Sequence, residues 1–245
     1  MRGTRKRIQR IYSTTGLIPT LAQILHIDTA TSNGSVCLSR NGLALETIHN
    51  TDQRDHAATI TQLIRELMER HAVTPAMLDA IAVSAGPGSY TGLRVGTATA
   101  KGLCYTWQKP LIAISTLQMM AAGMQDLMPD QDVLFAPMID ARRMEVFTAI
   151  YDTRLEALLP PQAMILEPGS LDNFITQKTV IFFGDGAPKW HELLGERTNT
   201  QFPSYQISAS HMVRLAAEAF AAKDFQDVAY FAPHYLKAFY HPGKK

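Results

Sequence analysis

One segment limits the fold of this chain more than any other: Gly86-Pro87-Gly88-Ser89-Tyr90-Thr91-Gly92-Leu93-Arg94-Val95-Gly96. It separates a short apolar run, Ala80-Ile81-Ala82-Val83-Ser84, from a longer apolar-periodic one, where a strand hands over to a helix. Gly86-Pro87-Gly88 supplies the tight turn, because glycine admits positive φ and proline presets the next bend. Ser89 stands where a helix N-cap is needed. Gly88, Gly92, Gly96 and Ala100 then recur every fourth residue and leave one helical stripe bare. A helical glycine costs about 1 kcal/mol relative to alanine, so the stripe requires a compensating close approach by another backbone. A glycine-rich turn at a helix N-terminus can also cradle phosphate. The P-loop ending Gly-Lys-Ser/Thr is replaced here by Thr91-Gly92-Leu93, and the dinucleotide spacing of glycines is not reproduced.

The rest of the chain supplies the context. Ile24-Leu25-His26-Ile27-Asp28-Thr29-Ala30-Thr31-Ser32 reads as a buried strand ending in an aspartate and small hydroxyl residues. Two further strand patterns, around Val36 and Leu45, flank Arg40-Asn41-Gly42, a strong hairpin signal. Strand, hairpin, helix, strand, glycine loop, helix: this order resembles the actin, Hsp70 and sugar-kinase (ASKHA) α/β fold with two related subdomains. Within that fold the chain resembles the TsaB (YeaZ) family. The resemblance is carried by Ile27-Asp28-Thr29-Ala30, Leu78-Asp79-Ala80-Ile81, residues 86–96, Ala100-Lys101-Gly102-Leu103, Ile114-Ser115-Thr116-Leu117, Asp140-Ala141-Arg142, Glu145-Val146-Phe147, Gly184-Asp185-Gly186 and Pro233-His234-Tyr235-Leu236-Lys237. It covers residues 21–237. The expected organisation is a basic extension over residues 1–20, a first subdomain over 21–114, and a second over 115–207. A helix over 208–223 should return to the first subdomain, and 224–245 form a tail.

Composition agrees with a soluble, cytoplasmic protein: 46% of 245 residues are hydrophobic, enough for a substantial core. No apolar run reaches membrane-spanning length. Cys37 and Cys104 show no metal spacing and read as buried reduced thiols. The net charge of +1 hides an asymmetry. Arg2, Arg5, Lys6, Arg7 and Arg10 occupy the first twenty residues without an acid; the remainder carries 18 basic against 22 acidic side chains. That body has no electrostatic footprint for nucleic acid. The basic head has the composition of a transit peptide, of sequence from an upstream start, or of an RNA-touching arm.

The second half repeats the pattern more weakly. Val133–Asp140 and Met144–Tyr151 read as strands joined at Ala141-Arg142-Arg143, and Pro160-Pro161 as a break between strands. Ser115-Thr116-Leu117-Gln118 has capping-box spacing. Met212, Leu215, Ala216, Ala219 and Phe220 share one face of the late helix. Asp28, Asp140 and the Gly184-Asp185-Gly186 turn match the places where kinases of this fold hold nucleotide and Mg²⁺; here they read as a vestigial nucleotide site. The bulky Ala141-Arg142-Arg143-Met144-Glu145 replaces the glycine-rich second loop of those kinases.

The resemblance implies a non-catalytic subunit without cofactor. Its partner would be a TsaD-like catalytic subunit, with a TsaE-like ATPase in the complex and tRNA reached only through that complex. The product is threonylcarbamoyladenosine beside the anticodon. The expected partner interface is His56, Ile60, Ile64, Met68, Gly92, Gly96, Ala100 and Leu103, which would also form a homodimer when the chain is alone. A metal pair of histidines one helical turn apart, as in TsaD, is missing because Ile60 follows His56 at that spacing. An active ASKHA-type small-molecule kinase or ATPase is the alternative, drawing on Asp28 and Asp140.

Overall fold

The structure, a computed structural model, describes residues 22–50 and 56–237, with the side chains of all of these but residues 56–58. The basic extension, Asp52 to Asp55, the His56 side chain and residues 238–245 therefore lie outside the described part. The first sheet is laid down by β1 (Gln23–Asp28), β2 (Ser35–Arg40) and β3 (Leu43–His49), an antiparallel meander. Asn41 and Gly42, at φ 56° and 73°, turn β2 into β3 in two residues. Helix α1 (His56–Arg70), strand β4 (Ala80–Ser84), helix α2 (Tyr90–Trp107) and strand β5 (Leu111–Ile114) follow. β4 runs parallel to β1 and β5 parallel to β4, giving the order β3-β2-β1-β4-β5.

The chain then does the same again. Helix α3 (Thr116–Leu127) leads to β6 (Leu134–Asp140), β7 (Glu145–Tyr151) and β8 (Ala157–Ile165), a second antiparallel meander. After α4 (Asp172–Ile175) come β9 (Val180–Phe183), α5 (Ala187–Leu194) and β10 (Thr200–Gln201). Their order is β10-β9-β6-β7-β8, with β9 parallel to β6 and β10 parallel to β9. Strand for strand, β6 to β10 take the roles of β1 to β5. This doubled unit is the actin/Hsp70/sugar-kinase-like α/β fold.

A 3-10 turn (Ala209–Met212) and α6 (Val213–Ala222) complete the described helices. α3 packs on β6 and β7 of the second sheet, whereas α6 packs on β1, β3 and β5 of the first. Leu117, Met120 and Met124 of α3 meet Met212, Leu215 and Ala216 in one core between the sheets, which also takes in Ile112 and Phe183. The outer face of the first sheet is covered by α1 and α2 through Ile60, Ile64, Leu67 and Ala100. α4 and α5 cover the second through Ile175 and Trp190. The central helices thus belong to both lobes and make them one packed body.

Two local expectations are corrected. Pro160 and Pro161 do not end the strand; they lie inside β8, an edge strand, where its register with β7 shifts between the Ile150–Leu159 and Thr148–Gln162 pairs. Ser115 begins α3 without a side-chain cap, and the neighbouring Thr116 hydroxyl instead accepts the Gly86 N–H at 3.1 Å. Cys37 and Cys104 are free and buried, and burial pushes their thiols up to about 11 and about 12. Thiolate chemistry is suppressed at both.

Two histidines sit in the interior as neutral rings. His26 is fully buried on β1, its Nε2 2.7 Å from the Ser39 hydroxyl, and burial lowers it to about 3. His211 Nδ1 lies 2.7 Å from the Tyr205 hydroxyl, and burial, helped by His49, lowers it to about 4. Below pH 6.5 the unfolded chain takes up protons that the folded one refuses, so stability falls with falling pH down to the folded values. In urea melts between pH 4.5 and 6.5, the stability difference between wild type and His26→Asn should shrink on acidification. The slope should steepen as the pH falls, toward a limit of about 1.4 kcal/mol per pH unit.

Candidate functional site at the interlobe cleft

The glycine segment does its work inside the chain. Cβ atoms built at Gly88, Gly92 and Gly96 would lie 2.3 Å from the Ala30 carbonyl, 2.0 Å from the Thr29 carbonyl and 2.3 Å from Thr29 Oγ1. The bare stripe of α2 is therefore the groove that admits the end of β1. Thr29 Oγ1 completes the joint by donating to the Gly92 carbonyl at 2.7 Å. Three of the loop's own donors are used in the same way. Gly86 N–H goes to Thr116, Ser89 N–H to the Ala30 carbonyl at 2.6 Å, and Gly92 N–H to the Ser89 hydroxyl at 3.3 Å. Ser89 caps α2 as its position in the sequence predicts. Of the three readings of this motif, close packing is the one the geometry supports. Asp28 is buried beneath it, and its Oδ1 accepts the Ala30 N–H at 3.0 Å, closing its own turn.

The second lobe has an equivalent joint. A Cβ at Gly184 would meet the Met138 carbonyl at 2.3 Å, and one at Gly186 the backbone of Ile139 at 3.0 Å. The turn after β9 thus presses on the end of β6, as the turn after β4 presses on β1. Asp185 Oδ1 accepts the Asp140 N–H at 2.9 Å. Lys189, one turn into α5, places its ammonium 2.6 Å from Asp140 Oδ1 and donates to the Arg143 carbonyl at 2.5 Å. Burial opposes ionisation of Asp140. Lys189 and the Arg142 N–H outweigh it and hold the carboxyl below its usual range. The strand-end carboxylate already has its cation. Arg142 and Arg143 continue the β6–β7 turn at φ 72° and 53° and point exposed side chains from its tip.

Between the two joints lies a cleft of about 1240 Å³. Ala30, Thr31 and Ser32 line one wall with Gly88, Ser89 and Tyr90; Asp140, Arg142, Arg143, Glu145 and Asp185 line the other. The third wall is chain from the far end of the sequence, His234 to Lys237. Of the expected nucleotide set, Asp140 and Asp185 reach the cleft, while Asp28, Gly184 and Gly186 stand behind its walls. Among the described residues, no three His, Cys, Asp or Glu side chains converge as a metal site. Among the described residues, no helix is long and apolar enough to cross a membrane.

Comparison with known proteins follows this geometry. The family described as "TsaD: tRNA N6-adenosine threonylcarbamoyltransferase" matches residues 46–235. The tRNA threonylcarbamoyladenosine biosynthesis protein TsaB of Bacillus subtilis is 28% identical over 87% of this chain and 93% of its own. TsaB of Escherichia coli is 29% identical over 88% and 94%. A crystal structure from Pseudomonas aeruginosa, of a protein with similarity to peptidase YEAZ, superposes with a TM-score of 0.78 at 25% identity. It covers 88% of this chain and 100% of that one. This chain is a member of that family, on its TsaB (YeaZ) branch.

Set within a TsaB-family chain, the expected interface residues divide sharply. Ile60, Ile64, Met68 and Ala100 are 2%, 4%, 8% and 0% exposed, in the core between the first sheet and its outer helices. Gly92 and Gly96 are buried against Thr29. These six are corrected to internal packing positions, because helices flat on a sheet spend their apolar faces on it. Leu103 is half-buried, and the His56 side chain lies outside the described residues. The outward face of α2 carries Arg94, Ala98, Gly102 and Tyr105, the last 76% exposed. A Cβ at Gly102 would meet nothing within 4 Å, so no packing within the described chain accounts for that glycine. Sequence reasoning missed Thr29 and Lys189 as the partners of the glycine stripe and of Asp140. Lys189 sits four residues past Asp185, and that spacing on a helix start was the available signal.

Two substitutions separate inner from outer glycines. Gly92→Ala should destabilise the fold by about 1–3 kcal/mol, since backbone must move, whereas Gly102→Ala should raise stability by up to about 1 kcal/mol. Thermal melts of the two variants check both signs. Lys189→Met should raise the Asp140 pKa and leave the carboxylate and the Arg143 carbonyl facing a vacated cation position. Melting with and without millimolar Ca²⁺ should then show stabilisation in the variant and none in wild type.

Proposed function

We propose that this chain is the TsaB-type subunit of tRNA threonylcarbamoyladenosine biosynthesis. In this reading it pairs with a TsaD-like catalytic subunit and holds it competent to transfer threonylcarbamoyl to the adenosine beside the tRNA anticodon. The observation that carries the reading is the match to named TsaB proteins over nearly the whole of both chains. The site geometry supports a non-catalytic role. The loop that could cradle phosphate gives two of its donors, the Gly86 and Ser89 N–H groups, to Thr116 and Ala30, and the strand-end Asp140 is neutralised by Lys189. The same two features weigh against a kinase or ATPase. A TsaE-like ATPase completes the proposed assembly, tRNA is met through the complex, and the working compartment is the cytoplasm.

The surface proposed for the partner is the outward side of α1 and α2. Thr61, Gln62, Arg65 and Glu69 are exposed on α1, beside Ala98, Gly102 and Tyr105 on α2. Small residues at Ala98 and Gly102 permit helix axes to approach at the short end of the ~8–10 Å packing range. Without the catalytic subunit, two copies of this chain would pair through the same face.

The test is reconstitution of tRNA modification from a TsaD-like subunit, a TsaE-like ATPase, tRNA and this chain. Modification should require the chain, and the chain alone should turn over neither ATP nor tRNA. Gly102→Trp should weaken binding to the catalytic subunit and self-association in sedimentation while leaving the melting point unchanged. Full modification without the chain, or ATP hydrolysis by the chain alone that is abolished by Asp140→Ala, would overturn the reading.

A further inference from the structure

The C-terminal segment makes a series of contacts that neither the fold nor the proposed partner role requires. Beyond α6 the chain returns along α2, where Lys101 Nζ donates to the Ala229 carbonyl at 3.2 Å and the Phe231 carbonyl at 2.9 Å. Val228 and Phe231 pack against the core under α1 and α2. The His234 N–H then donates to the Ala85 carbonyl at 2.8 Å, at the end of β4. Its carbonyl comes so near that a Cβ at Gly86 would sit 2.6 Å from it. Tyr235 lies over Tyr90, ring centroids 5.0 Å apart, and Arg94 covers that Tyr90 ring at 4.8 Å. Up to here every contact is to the first lobe. Lys237 crosses the cleft and pairs with Glu145, at the start of β7 in the second lobe.

We infer that residues 233–237 are an interlobe strap that holds the cleft closed from one side, anchored on the glycine loop and latched on Glu145. The anchor is strong: a backbone hydrogen bond, an aromatic contact and a glycine whose missing side chain makes room. The latch is a single ion pair, with Lys237 half exposed and Glu145 at 18% side-chain exposure. Partly exposed pairs contribute little to stability. A latch that weak biases lobe closure and does not lock it, so closed and open forms interconvert and a small change shifts their ratio. The two lobes share α3 and α6 as a hinge region, and the strap joins them on the cleft side. Together they define one degree of freedom, the width between Ser89 and Arg142. This inference stands independently of any partner's identity.

The test measures that width directly in the full-length protein. Spin labels go on Leu43→Cys in β3 and Asn173→Cys in α4, both exposed and outside the proposed partner face; Cys37 and Cys104 are buried and stay unlabelled. Pulsed dipolar spectroscopy should give one narrow distance in the labelled wild type. A stop after Lys237 should leave it unchanged, and a stop after Ala232 should broaden it toward longer distance. Glu145→Lys should broaden it likewise, and Glu145→Lys combined with Lys237→Glu should restore the narrow form. Should the chain stopped after Ala232 fail to fold, the charge pair alone decides. A distance indifferent to Glu145→Lys, or unaltered in a folded chain lacking the strap, overturns the inference.

Discussion

Everything near the cleft depends on how closely α2 can approach the end of β1. With Gly88, Gly92 and Gly96 bare, the helix lets the carbonyls of Thr29 and Ala30 into its own surface, and Thr29 bonds back to it. A single methyl group at Gly92 would fall 2.0 Å from a backbone oxygen, a distance no rotamer adjustment relieves. Helix position, loop position and the turn after β1 are therefore one rigid unit. The same closeness takes the Ser89 N–H, a donor a phosphate would use, for the Ala30 carbonyl. One packing solution thus bears on stability and on chemistry together.

The internal duplication makes this interpretation firmer. β6 ends against Gly184 and Gly186 as β1 ends against Gly88 and Gly92, so both halves solve the strand-to-helix junction by glycine contact. They differ in how they treat the carboxylate at the strand end. Asp28 turns inward and satisfies its own backbone; Asp140 stays at the cleft and takes the Lys189 ammonium. The first is held by a backbone amide, the second by a cation.

Helices α3 and α6 explain why the two halves do not behave as separate domains. Each follows one sheet in sequence, and α6 returns to the first, so both sit in the core between the sheets. The segment ending at Lys237 lies on the cleft side.

How much of this was legible in the sequence depended on the range of the interaction. Local signals served well: Asn41-Gly42 made its hairpin, Ser89 its cap, and the apolar runs their strands, because each rests on the preferences of neighbouring residues. The glycine stripe announced a close contact but not its partner. An empty groove on a helix looks the same whether β1 of its own chain or another protein fills it. The capping box at Ser115 and the break at Pro160-Pro161 failed for the same reason. The Ser115 hydroxyl faces Tyr151 of β7 rather than the start of α3, and an edge strand with a register shift accommodates the prolines. By itself the sequence determined the element order, the family and the need for intimacy along α2. Only the tertiary structure decided that Thr29 fills the stripe and Lys189 neutralises Asp140. These pairs lie dozens of residues apart, and no local preference encodes which distant group will arrive.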